Sequence, residues 1–313
     1  MILRAVAPAK INWSLRVVGR LPNGYHELDS VFQALALADE LTLETGEGGD
    51  RLTVRLAETG ADAPELATPE NLVLKAAATL RQAVQPLGLS CPPVRFHLTK
   101  AIPWQAGLGG GSSDAATALR LLAHHWGVAL RWSQWLEIGF SLGADVPFFL
   151  CETPQRISGV GLPSGALDLP EVALLLLHPG PGLSTPEVFR RRAAMGVERA
   201  GGNFLTPCGR IHRLPALFRE GVQGGALGEI LAEGNDLGPA ALDLSPELRG
   251  LVDWAQTEGM EPIFMSGSGP TCFVPVVDDA QGRAWADRAQ LAGWRSWSTR
   301  TLRQHPGPAL PVV

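Results

Sequence analysis

The sequence predicts an α+β protein of two domains, and three observations carry that expectation. The chain has 313 residues, which at about 100 to 200 residues per domain is enough for two cores without disulfides or metal. Segments with period-two alternation and segments with helical periodicity interleave through its first half. Continuous apolar runs at 172–177, 263–265 and 272–277 read as buried strands of a second sheet, beyond a Gly/Pro-rich stretch at 158–165. The expected division is 1–158 for an amino-terminal domain, 159–304 for a carboxy-terminal domain and 305–313 for a flexible, proline-rich tail.

Taken in order, Ile11, Trp13, Leu15 and Val17 alternate with other residues as in a half-buried strand. Lys10 stands at its head, with Asn12 on the same face two residues on. Next, Asn23-Gly24 marks a tight turn from which Tyr25 and His26 project. They suit stacking on a planar ring such as a nucleobase, or packing beneath the turn, and both readings stay open here. Alternation returns in 52–56 and 94–98, and helical spacing spans 71–84, 112–125, 132–141, 246–258 and 279–292. The stretch 196–207 has no periodicity and reads as a surface loop. No repeat of about 20 to 50 residues is present, which excludes solenoids and propellers.

Composition narrows the function. The net charge of −5 with 45% hydrophobic and 18% charged residues excludes a basic nucleic-acid binder and a disordered acidic chain. The four cysteines, Cys91, Cys151, Cys208 and Cys272, form no Cys-x-x-Cys pair and are expected as free thiols. The amino terminus lacks the apolar core of a signal peptide, and the longest aliphatic run falls far short of the ~18 residues that span a bilayer. A cytoplasmic chain with a small-molecule substrate, neither nucleic acid nor membrane as partner, and a monomer or weak homodimer is expected. Lysine occurs only at Lys10, Lys75 and Lys100, against 23 arginines. Because a compact ammonium beside reacting oxygens is not replaced by a planar guanidinium, each surviving lysine points weakly to function.

The strongest local signal is PWQAGLGGGSSDAATAL at 103–119. Four glycines in five positions let backbone N–H groups approach an anion, and the following helix adds free donors and the positive end of its dipole. An ordinary capped turn needs one small residue rather than four glycines. Ser112 and Ser113 suit capping, phosphate bonding or Mg²⁺, and Asp114 suits a cap or a place near the metal. No lysine follows as in a Walker A loop, and no acid follows about 20 residues on as in a dinucleotide site. Lys100 lies just upstream, within reach of a bound polyphosphate. Asp145 is the sole charge between Glu137 and Glu152, so it is either a turn residue bonding its own backbone or an acid held for chemistry, and the sequence leaves both open. A polyphosphate loop, a cation and a carboxylate together form the set that phosphoryl transfer requires. A second glycine turn, SGSGP at 266–270, sits between two apolar strands and suits a place behind the phosphate site.

PxxAGLGGGSSDAA at 103–116 and MSGSGPTCF at 265–273 resemble the GHMP kinase superfamily. Within it APAKIN at 7–12, NGYHEL at 23–28, GADVPFF at 143–149 and STPEVF at 184–189 resemble the branch that acts on 4-diphosphocytidyl-2-C-methyl-D-erythritol, in non-mevalonate isoprenoid synthesis. The resemblance implies an amino-terminal α/β domain and a ferredoxin-like carboxy-terminal domain with the active site between them. It further implies ATP-dependent phosphorylation of the 2-hydroxyl of the erythritol portion, with ATP and Mg²⁺ as donor and cofactor. On matching positions, Lys10 and Asp145 would be the catalytic pair, with Asp145 as base. Pro103, Trp104, Gln105, Ala106, Gly107, Leu108, Gly109, Gly110, Gly111, Ser112 and Ser113 would wrap the phosphates, Ser113 also holding Mg²⁺, while Lys100 and Asn71 would touch the nucleotide. Asn12 would orient the substrate; Tyr25 and His26 would hold cytosine, with Phe189 closing its other face and Thr185 and Pro186 nearby. The chain departs from the pattern at Trp13, in the bulk of Trp104 and Gln105, and at Leu162 after Gly161. The competing readings are a homoserine- or mevalonate-type kinase of the same superfamily, which has no need of a nucleobase clamp, and an ATP sensor without turnover.

Overall fold

The computed structural model describes residues 2–22, 24, 26–196, 230–231, 233–308 and 310–312. Strand β1 (Ile2–Arg20) pairs antiparallel along the whole of β2 (His26–Thr45). The other edge of β2 is shared, its later residues pairing with β4 (Val94–Lys100) and its earlier ones with β5 (Gln155–Gly159). β3 (Arg51–Leu56) adds in parallel to β4, and β6 (Leu162–Ala166) closes the far edge against β5. Helices α1 (Leu72–Val84), α2 (Gly110–Trp126), α3 (Trp132–Leu142) and the short α4 (Val146–Leu150) bury their apolar stripes with this sheet in one core around Leu80, Phe96, Leu119 and Trp135.

The second unit runs β7 (Ala173–His178), α5 (Thr185–Ala194), α6 (Gly238–Leu244), α7 (Pro246–Thr257), β8 (Phe264–Met265), β9 (Cys272–Pro275), α8 (Asp279–Leu291) and β10 (Arg295–Arg300). Its strands lie antiparallel in the order β10-β7-β9-β8, the ferredoxin-like arrangement. The anticipated boundary at 158 falls inside the β5–β6 hairpin, and both strands of that hairpin belong to the first sheet. Only Val160 and Gly161 of that stretch lie between the two strands, Gly159 ending β5 and Pro163 and Gly165 standing in β6, and the second sheet begins only at Ala173.

β1 carries the largest departure from expectation. The alternation suggested a strand with one face in water, yet residues 7–15 are all buried. Ala9, Ile11 and Trp13 face a second core with Leu174, Leu176 and Phe273 from the ferredoxin-like sheet, and Trp13 meets Phe273 edge to face at 5.5 Å. The polar face, Lys10, Asn12 and Ser14, is turned the other way and is equally buried. Alternation marks which residues share a face; it carries no information on what covers that face.

The tail is also ordered differently from expectation. The His305 N–H donates to the Glu152 carbonyl (2.7 Å), the Trp135 indole donates to Pro311 (3.1 Å), and Val312 bridges to Leu130. Proline removes donors but leaves carbonyls, and buried side chains of the first domain reach those carbonyls. The stretch 197–229, including most of the anticipated surface loop and Cys208, lies outside the described residues.

Leu80 is fully buried in the first core and is not among the residues that line the cleft. Leu80→Ala is expected to destabilise the protein by about 2–5 kcal/mol in chemical denaturation, with kcat unchanged.

Candidate active site

A cleft of about 420 Å³ opens between the two units, lined by Lys10, Asn12 and Phe32 of the first sheet, residues 103–112, Ala144 and Asp145, Thr185 and Phe189 of α5, and Gly267 and Ser268. The glycine loop follows β4 and runs into α2, which begins at Gly110, two residues before the serines expected to cap it. The N-cap is Gly109 in a left-handed conformation (φ 69°), without a side-chain cap. The first intrahelical bond runs from the Ser113 N–H to the Gly109 carbonyl at 2.9 Å, so the N–H groups of Gly110, Gly111 and Ser112 have no intrahelical acceptor. With the helix dipole they form an anion-binding end. Ser113 and Asp114 lie inside the helix and are buried; the Ser113 hydroxyl has no hydrogen-bond partner among the described residues, and Ser113, unlike Ser112, does not line the cleft.

The glycines are also demanded by packing. A Cβ on Gly107 (φ 76°) would lie 2.4 Å from the Ser266 carbonyl, and one on Gly109 would lie 3.0 Å from the Phe149 ring. The SGSGP turn thus lies directly against the phosphate loop, with the Ser266 hydroxyl donating to the Gly107 carbonyl at 2.9 Å. Asn235 holds that turn from behind, donating to the carbonyls of Met265 and Gly267 at 2.9 and 2.8 Å. Gln105 has φ 53°, and its side chain lies against Gly182, so a glycine of the second unit makes room for it. Trp104 is 72% exposed at the rim of the cleft.

At the floor, the Lys10 side chain is only 3% exposed; its Nζ donates to the Asn12 Oδ1 at 2.6 Å, sits 4.7 Å over the Phe32 ring and lies 3.7 Å from the Asp145 Oδ2. Burial holds its pKa below the ordinary lysine value, outweighing the upward pull of the Asp145 carboxylate. Asn12 in turn donates to the Ser30 hydroxyl at 3.0 Å, which fixes its oxygen toward the ammonium. Asp145 is the N-cap residue of α4 but makes no capping bond, and its side chain is 35% exposed. Of the two readings left open for it, the turn residue bonding its own backbone is excluded. Its carboxylate, beside the Lys10 ammonium, lines the cleft where a ligand can reach it.

Lys100 lines the cleft, but its ammonium is held between the carboxylates of Asp39 and Asp114, the latter at 2.7 Å. Asp39, fully buried, also accepts from the N–H groups of Ala101 and Ile102 at 2.6 and 2.8 Å, so it anchors the chain entering the glycine loop. Burial and the nearby Asp39 carboxylate raise the Asp114 pKa to about 8, against the lowering pull of Lys100. Asn71 caps α1, accepting from the Val73 N–H at 3.0 Å and donating to the Leu66 carbonyl at 2.8 Å. Its amide is thus spent on local structure and does not line the cleft.

His26 and Phe189 are stacked on each other with centroids 4.5 Å apart. At that separation no third ring fits between them, so Phe189 does not stand across a base from His26 in this arrangement. Burial, then Arg20 and Arg192, lower the His26 pKa, which keeps the imidazole neutral near pH 7 with one donor and one acceptor. Thr185 hydrogen-bonds Ser268 at 2.7 Å, and Pro186 is exposed in the first turn of α5. Tyr25 lies outside the described residues. Phe32, Asp39 and Asn235 had gone unnoticed, because long-range contact, which one strand's pattern does not encode, gives each its place.

Comparison with known proteins agrees with this geometry. Residues 71–153 match the family described as GHMP kinases N terminal domain, and residues 218–291 match GHMP kinases C terminal. The 4-diphosphocytidyl-2-C-methyl-D-erythritol kinase of Rhodopseudomonas palustris is 38% identical over 299 residues, covering 94% of this chain and 95% of that protein. That of Gluconacetobacter diazotrophicus is 38% identical over 306 residues, covering 95% and 94%. A crystal structure of 4-(cytidine 5'-diphospho)-2C-methyl-D-erythritol kinase superposes with a TM-score of 0.73 at 30% identity, covering 96% of this chain and 99% of the other. A homoserine kinase from Cytophaga hutchinsonii superposes with a TM-score of 0.60 at 17% identity, covering 98% and 96%, which shows shared fold alone. By the length and level of these matches and the cleft that both units build, the chain belongs to the 4-diphosphocytidyl-2-C-methyl-D-erythritol kinase family of GHMP kinases.

Proposed function

We propose that this protein transfers the γ-phosphoryl group of ATP to the 2-hydroxyl of the erythritol portion of 4-diphosphocytidyl-2-C-methyl-D-erythritol. The observation that carries the reading is the Lys10–Asp145 pair, 3.7 Å apart on the floor of a cleft walled by the glycine loop. The free N–H groups at the start of α2 receive phosphate oxygens without a side chain between. The acceptor hydroxyl lies against Asp145, which takes its proton as the oxygen attacks phosphorus and ADP departs. The Lys10 ammonium, oriented by Asn12, stabilises the negative charge on that oxygen; in a buried site this is worth far more than in water.

The oxygen donors that reach the cleft, the Ser112 hydroxyl and the Asp145 carboxylate, fit a magnesium ion, which typically takes one or two protein oxygens and completes its shell with phosphate and water. When bound, Mg²⁺ would neutralise charge on the phosphates. Lys100 acts within its ion-paired cluster, between Asp39 and Asp114, to hold the chain that enters the loop. His26 and Phe189 supply the aromatic surface and the neutral imidazole that a cytosine ring requires, with Thr185 on the same helix as Phe189. Insertion of the base requires that the stacked pair part. The presence of this aromatic pair favours the cytidyl substrate over homoserine or mevalonate, neither of which offers a ring to stack.

Three outcomes test the reading. Asp145→Asn is expected to lower kcat by about 10²–10⁴-fold in an assay of ATP consumption dependent on the diphosphocytidyl alcohol; near-normal turnover excludes Asp145 as the base. Phe189→Ala is expected to raise KM for that alcohol by roughly tenfold, in line with about 0.5–1.5 kcal/mol of aromatic contact, and to leave KM for ATP unchanged. A rise confined to ATP would move the aromatic pair to the nucleotide side.

Lys10→Met gives the third. Because the folded-state pKa of Lys10 lies below its ordinary value, folding disfavours its proton, so the penalty is present at pH 7 and fades as pH rises through the folded pKa toward the unfolded one. Lys10→Met is therefore expected to raise Tm at pH 7 while turnover is lost; a lowered Tm would show the ammonium to be net stabilising.

A further inference from the structure

Arg120 sits in the middle of α2, three turns beyond the glycine loop, and is 1% exposed. A guanidinium so deeply buried is expensive unless its donors are used. Here they serve two segments. Nη2 donates to the carbonyls of Phe149, Leu150 and Cys151 at 3.3, 2.9 and 3.2 Å, and Nε approaches Phe149 at 3.4 Å. Nη1 donates to the Pro308 carbonyl of the tail. Burial draws the group down to about 10, which leaves it charged at neutral pH.

The carbonyls it takes are those that α4 leaves unpaired. A helix ends with four free carbonyls, and in α4 the Pro147 oxygen accepts from the Cys151 thiol at 3.5 Å and the Phe148 oxygen from the Cys151 N–H at 3.0 Å. Those of Phe149 and Leu150 are left to Arg120, whose positive charge also suits the negative end of the helix. At the other end of this five-residue helix stands Asp145. Its middle residues face the rest of the site: Phe149 packs on Gly109, and Phe148 meets Phe32 edge to face at 5.3 Å, the ring beneath the Lys10 ammonium.

We propose that Arg120 is a positioning residue for phosphoryl transfer, fixing α4, and with it the Asp145 carboxylate, against the helix that carries the phosphate loop, with the carboxy-terminal tail tied to the same guanidinium. The inference rests on the reading of Asp145 as the base. Arg120 touches no ligand, so its loss disturbs the alignment of the base rather than the binding of either substrate. A misplacement of about 1 Å can cost on the order of 10²-fold in rate.

The test is steady-state kinetics of Arg120→Gln, Arg120→Lys, Asp145→Asn and the double variant Arg120→Gln/Asp145→Asn, with Leu80→Ala as a core variant that lowers stability without touching this link. Arg120→Gln is expected to lose at least tenfold in kcat with both KM values within twofold of wild type. Arg120→Lys, which keeps the charge but not the fork, is expected to recover part of the loss. In the Asp145→Asn background Arg120→Gln should cost nothing further, and Leu80→Ala should keep wild-type kcat. Wild-type kcat in both Arg120 variants overturns the proposal, as does a loss in Leu80→Ala equal to that in Arg120→Gln, or KM values that rise with the fall in kcat. If Arg120→Gln does not fold, Arg120→Lys decides by the same split, a wild-type kcat overturning the proposal. Normal turnover in Asp145→Asn instead removes the reading of the base itself, so the two failures are told apart.

Discussion

The site depends on one strand being buried on both faces. β1 carries Ile11 and Trp13 into the core beneath the ferredoxin-like sheet, and Lys10 and Asn12, of opposite parity, onto the cleft floor. Period-two geometry makes these placements inseparable, since a slip of one residue would put the indole on the cleft floor and the ammonium in the hydrocarbon. The apolar face therefore locks the register of the polar one. Burial of the ammonium is tolerated because Asn12 accepts from it, Phe32 lies under it and Asp145 stands nearby. Each of these partners comes from a different stretch of chain.

A second constraint joins the units at backbone level. The glycine loop of the first and the SGSGP turn of the second approach so closely that Gly107 has no room for a methyl group. The same glycines leave amide groups open to an anion, so the features that allow phosphate to approach also allow the two units to meet. Asn235, behind the turn, and Asp39, at the entry to the loop, spend buried hydrogen-bonding capacity on holding these two segments. Such fully used polar groups rigidify a site that must present charge without reorganising during reaction.

Several features were legible from short-range chemistry alone. The run of glycines before an alanine-rich helix, the solitary Asp145 and the scarcity of lysine pointed to a phosphate loop and a cation–carboxylate pair. The helices at 72–84, 132–142, 246–257 and 279–291 followed from their periodicity. The sequence shows no single period over long β2 because its residues are buried in different patterns along its length, where it pairs first with β5 and then with β4. The tail read as loose because proline-rich sequence has no periodicity, whereas its carbonyls are taken by Arg120 and Trp135.

By itself, then, the sequence determined the local chemistry: which residues can accept a phosphate, share a strand face, start a helix or hold a proton. These properties depend on neighbours a few positions away. Tertiary structure alone decided that Lys10 loses its water, that Asp145 stands beside it without capping its own helix, that Lys100 is already engaged by Asp39 and Asp114, and that His26 meets Phe189 directly. Each of those outcomes depends on groups far apart in the chain. Desolvation and charge pairing are set by what surrounds a side chain in space, and no periodicity in the chain records that.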